Sequence, residues 1–141
     1  MVDIKNLKVG LAPSQKFPAT IREKRGFRFY AKQKKIAFEI ANPNKEYDLI
    51  FVSSGADLSV WSQYQKNGTK IVYELVDSYF AIPEYSIKNL LRGLAKYLTG
   101  QHKYLLFSQR KTYEAMCKRA DAIICCTREQ KKYLQTLCPN T

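Results

Sequence analysis

The sequence predicts an α/β fold, with a mostly parallel sheet of about four strands and helices flanking it in three layers. Three observations lead there. Four apolar runs of strand length recur along the 141 residues, at 7–12, 47–54, 70–80 and 121–127. Each closes on polar or turn-forming residues: Pro13-Ser14, Ser53-Ser54-Gly55, Asp77-Ser78 and Thr127-Arg128. The intervening segments have helical character, and strands alternating with helices give a parallel sheet whose carboxyl ends gather along one edge. In open α/β sheets that edge is where ligands bind.

The first run, Leu7 to Ala12, is followed by a loop carrying Lys16, Arg22, Lys24 and Arg25. Arg22 and Arg25 suit bidentate contact with a phosphate or carboxylate, or else belong to a solvated basic loop. Gly10 stands inside the strand, and neither a G-x-G-x-x-G fingerprint nor a P-loop follows it. A first helix is expected over 27–41. Phe29, Ile36, Ala37 and Ile40 share its inward face, with Phe27 and Phe38 turned away towards a neighbouring helix. Asn42-Pro43-Asn44 ends it. The second strand covers 47–53. Beyond Gly55, Asp57 caps a short helix reaching residue 65, with Trp61 packed inward. Asn67-Gly68 precedes the third strand, and Pro83 turns the chain after it.

Residues 86–98 form an amphipathic helix. Ile87, Leu90, Leu91, Leu94 and Leu98 make one face, and Lys88, Arg92 and Lys96 repeat on the other. The pattern fits a helix lying on a membrane surface. It equally fits one packed on the protein with a solvated basic face. After Thr99-Gly100 a longer helix is expected over 101–119, with Leu105, Leu106, Tyr113, Met116 and Cys117 towards the core. His102, the single histidine, falls near its start, where a surface or structural role is the ordinary one. A fourth strand at 122–126 leads into a last helix over 128–137, where Thr127 and Gln130 fit a capping box.

Twenty-four Lys and Arg oppose twelve Asp and Glu, a formal net charge of +12. Such a field favours an anionic partner: nucleic acid, anionic lipid or a phosphorylated small molecule. No helix-turn-helix, zinc-finger or aromatic RNA-binding signature accompanies it. A hydrophobic content of 45% excludes a disordered chain. No apolar run approaches the ~18 residues of a membrane span, and the first residues lack a signal-peptide core, so a cytosolic protein is expected. No C-x-x-C pair accompanies the four cysteines. A metal site is therefore not expected, and reduced thiols serving as small buried hydrophobes are. Four strands in steady order would put every helix on one face and leave the other bare. Either the strand order reverses, or another piece covers that face.

Three stretches carry a resemblance. Tyr47-Asp48-Leu49-Ile50-Phe51-Val52 resembles a "D-h-h-h" strand, h being hydrophobic. Residues 68–77, Gly-Thr-Lys-Ile-Val-Tyr-Glu-Leu-Val-Asp, are similar to "G-x-K-h-V-Y-D-x-x-D". Residues 120–127 and the helix after them look like "A-D-x-h-h-x-x-S/T". The loop at 19–26 is loosely similar to "S-x-R-I-R-G". In order and spacing these resemble the N-terminal, Rossmann-like half of GT-B fold glycosyltransferases, particularly the retaining group related to glycogen and sucrose synthases. The resemblance implies an acceptor-side domain that works with a C-terminal, donor-binding domain or subunit. Sugar would pass from a nucleotide-sugar co-substrate to a saccharide or lipid-linked acceptor, without a further cofactor. It also implies a cleft contacted by Ser14, Arg22, Ser53, Ser54, Asp77 and Thr127. Asp77 would meet a sugar hydroxyl, or simply close its turn. Lys88, Arg92 and Lys96 would face a membrane in members with lipid acceptors. The family's histidine at a strand end is replaced by Ser53-Ser54 and Asp77-Ser78, so no catalytic residue is assigned. No donor half with paired glutamates lies within these 141 residues, and by themselves they are expected to be inactive. The alternative is a non-catalytic basic module for nucleic acid or an anionic membrane surface.

Overall fold

The computed structural model describes residues 7–15, 26–64, 68–76 and 86–141. Among these the sheet has five strands, all parallel: β1 (Val9–Ala12), β2 (Glu39–Ile40), β3 (Leu49–Val52), β4 (Lys70–Leu75) and β5 (Ala122–Cys125). The helices are α1 (Gly26–Lys34), α2 (Leu58–Trp61), α3 (Ile87–Leu98), α4 (Gln109–Arg119) and α5 (Arg128–Leu134). The strands lie in the order β2-β1-β3-β4-β5. The fold is the expected α/β, Rossmann-like, three-layer domain.

The order reverses at β1, and this reversal is how both faces acquire helices. The chain leaves β1 for β2 on one side, then crosses to β3 on the other. Right-handed crossovers in opposite directions place their helices on opposite faces. On one face Val9, Leu11 and Phe51 pack against Phe27 and Ala31 of α1. On the other, Ile50, Val52, Ile71, Tyr73, Leu75 and Ile123 meet Leu58, Trp61, Met116, Cys117 and Leu134. Cys138 is buried with Cys117, whereas Cys126 is exposed, so the expectation of buried thiols holds for only part of the set.

The fifth strand corrects the first-helix reading. α1 stops at Lys34 because Lys35 enters the left-handed region at φ 53°, and Ile36 donates back to the Ala31 carbonyl at 2.9 Å. Residues 36–40 therefore leave the helix, and Glu39 and Ile40 pair with Gly10 and Leu11. The inward face changes as a result. Phe27 is buried, stacked on Phe51 at 4.6 Å and edge-on to Phe38 at 5.5 Å, while Phe29 is exposed.

Two aspartates clamp the amino edge of the sheet. Asp48 accepts from the Lys8 amide at 2.7 Å, and Asp121 from the Ile71 amide at 2.9 Å and the Lys70 ammonium at 3.0 Å. Each ties the start of its own strand to the neighbouring strand. The expected helix over 101–119 begins only at Gln109, where Ser108 caps it by accepting from the Lys111 amide. α2 is one turn long, and as expected Asp57 caps it and Trp61 is buried. Thr127 caps α5 by accepting from the Gln130 amide, the first half of the expected capping box, while the Gln130 side chain accepts from the Cys126 amide, one residue before the cap, rather than from Thr127.

Candidate functional site

The crevice lies where the strand order reverses, outside the carboxyl ends of β1 and β3. The Gln15 amide donates to the Gly55 carbonyl at 3.1 Å, and the Ser53 amide to the Ala12 carbonyl at 3.0 Å, so the two strand ends form one rim. Gly55 turns that rim with φ 82°, a conformation that a side chain would strain.

Above the rim runs the connection between α3 and α4. It is held down by the start of α2. Asp57 accepts from the Ser59 amide and hydroxyl and also from the Lys103 amide at 2.8 Å. Ser59 Oγ accepts from the Tyr104 amide at 3.2 Å. One capping carboxylate thus fixes both a helix start and the lid above it. The space enclosed is about 300 Å³, the lower end of what a small-molecule site occupies. It is lined by Gln15, Gly55, Ala56 and Leu58 from the rim and the start of α2, by Lys96, Gln101, His102 and Leu106 from α3 and the connection, and by Gln109, Thr112 and Tyr113 of α4.

His102 is the chemically distinctive wall residue. Its Nδ1 is buried and has no hydrogen-bond partner among the described residues. Burial, reinforced by the Lys96 charge and opposed by Asp57, holds its pKa below the ordinary value, so the ring is neutral at physiological pH. Nδ1 is closed off from the cavity as well as from solvent, so the ring meets the cavity as a neutral imidazole through its remaining edge. Gln15, Gln101, Gln109 and Thr112 add amides and a hydroxyl that both donate and accept. These polar groups share the cavity with Lys96 and with the apolar Ala56, Leu58 and Leu106.

The other obvious place for a ligand is already taken. The N-terminus of α1 would suit a phosphate in a sheet of this kind. The Glu74 carboxylate lies there, 3.4 Å from where a side chain on Gly26 would begin, and it accepts from the Ser54 amide at 3.3 Å.

The predicted cleft residues meet this site unevenly. Ser14 is buried beneath the rim, and Ser53 and Ser54 are partly buried at the end of β3, but none lines the cavity; their neighbours Gln15 and Gly55 do. Thr127 stands at the end of β5, where its hydroxyl caps α5. Arg22 and Asp77 lie outside the described residues. Lys88 and Arg92 are exposed, but Lys96 is half-buried and turned into the cavity wall rather than outward. The expected helix over 101–119 leaves His102 near its start with an ordinary surface or structural role. Only the tertiary anchoring by Asp57 and Ser59 brings it over β1 and β3.

Comparison with known proteins found no matching family model, no matching curated protein and no matching solved structure.

Proposed function

We propose that this chain is the acceptor-side domain of a glycosyltransferase, and that the His102 cavity holds the acceptor sugar. The observation that carries the reading is the cavity at the β1/β3 reversal, whose lining includes three glutamines, the hydroxyl-bearing Thr112 and Tyr113 and a neutral histidine. Sugars are recognised by such convergent groups, each able to donate and accept. A nucleotide-sugar would be bound by a second α/β domain or subunit facing the same edge. The chain would contribute acceptor positioning, with His102 holding the acceptor hydroxyl or taking its proton. In this reading the complete enzyme works in the cytoplasm, peripheral to the inner face of the membrane. No helix among the described residues is long and apolar enough to cross one.

The test begins with the coding DNA past codon 141 and in neighbouring genes, sought for a second α/β domain with paired glutamates. That domain is then co-expressed with this chain, and transfer of labelled sugar from nucleotide-sugars to a membrane extract is measured. We expect transfer to require both parts and to fall roughly tenfold or more in His102→Ala and Gln109→Ala, each removing a hydrogen bond to substrate. Absence of transfer by the pair, or transfer indifferent to both changes, overturns the assignment.

A further inference from the structure

α3 packs on the protein with the face that should be outside. None of its residues is buried, and Ile87, Leu91 and Leu98 are 80%, 60% and 73% exposed. Leu90 and Leu94 complete the same stripe and are also exposed. The opposite face points inward. Asn89, Gly93 and Lys96, spaced i, i+4, i+7, line a groove together with Arg92 of the same helix and with Leu106 and His102. Gly93 fixes this orientation, because a Cβ there would stand 2.7 Å from the Leu106 carbonyl oxygen. Only a glycine lets the helix lie so close to the connection, with its leucines turned away.

We infer that α3 is a membrane-docking helix that sinks its Ile87-Leu91-Leu94-Leu98 stripe into an anionic lipid surface. A contiguous apolar stripe in water marks an interaction site, and a strongly amphipathic helix lying in the interfacial plane is the form a lipid surface takes up. Charge selects the occupant. A second copy would bring +12 against +12, which opposes self-association, whereas an anionic leaflet attracts the same field. Lys88, exposed at the edge of the stripe, is placed to reach headgroups. Because Lys96 lies on the back of the same helix, docking holds the cavity beside the headgroup layer. The inference is independent of the transferase reading, since vesicles alone test it without donor or acceptor.

The experiment is co-sedimentation of the whole chain with vesicles of phosphatidylcholine alone and of phosphatidylcholine with phosphatidylglycerol, at ~0.1 M salt. We expect sedimentation with the anionic vesicles only. The pair Leu91→Glu and Leu94→Glu should abolish it with unchanged circular dichroism, and Lys88→Glu should weaken it roughly fivefold or more. As a check that does not depend on that pair folding, indole emission of Leu91→Trp should shift to the blue on adding anionic vesicles; Trp61 is buried and serves as a constant background. Equal sedimentation with neutral vesicles, binding that survives the leucine pair, or no emission shift overturns the inference. So does a concentration-dependent dimer that the leucine pair dissociates, which would assign the stripe to a second copy.

Discussion

At the scale of single residues, His102 and Gly10 show how position decides chemistry. Burial and the nearby Lys96 hold His102 below its ordinary pKa of 6.5. The unfolded chain therefore binds the proton first as pH falls. His102's contribution to stability is fully present above about 6.5 and is lost progressively as pH drops towards its folded pKa. As the single histidine, its ring resonances can be followed without assignment. The midpoint should lie below that of an unfolded control, and a midpoint at or above the control would contradict the buried environment. Gly10 has a different duty. A Cβ there would meet the Tyr47 ring at 3.0 Å and the Ala41 Cβ at 3.1 Å. Tyr47 is held by its own hydroxyl, which donates to Glu39 at 2.8 Å and accepts from the Asn42 amide at 2.9 Å. It cannot move aside without breaking both. Gly10→Ala should lower stability to urea by about 1–3 kcal/mol, and an unchanged midpoint would show that the ring gives way freely.

At the scale of elements, strands are fastened at one edge and used at the other. Asp121 illustrates the fastening. Burial pushes its carboxyl up, but the Ile71 amide and the Lys70 ammonium outweigh that, and its pKa lies below the ordinary 3.8. The stabilisation is therefore present above about pH 3.8 and is lost as pH falls through the lower folded value. Asp121→Ala should cost about 1 kcal/mol at neutral pH, since the site is partly exposed. The gap to wild type should close in strong acid, and a constant gap at all pH values would mean that the carboxylate charge does nothing. Asp48 and Asp121 are also the residues that carry much of the glycosyltransferase resemblance. Both do structural work on the amino edge, opposite the cavity, so these two motif residues report the frame of the sheet rather than its chemistry.

At the scale of the whole molecule, the sequence by itself determined the class of fold. Apolar runs of strand length, turn residues after them, the amphipathic helix at 86–98 and the caps at Asp57 and Thr127 all depend on neighbours a few residues apart. They were therefore readable from local pattern. The fifth strand was not, because a helical period continues through residues 36–40 and only pairing with β1 draws them out of it. The strand reversal was one of two alternatives the sequence left open, and the pairing of β1 with β2 on one side and β3 on the other decides it. The cavity was least legible. Its lining comes from strand ends and a connection joined by contacts such as Asp57 with the Lys103 amide, 46 residues apart. The orientation of α3 likewise turned on a glycine meeting a carbonyl in another segment. Local spacing fixes what kind of element a segment forms. Which of its faces looks inward, and which distant side chains share a cavity, is decided by packing between elements, and only the tertiary structure contains that.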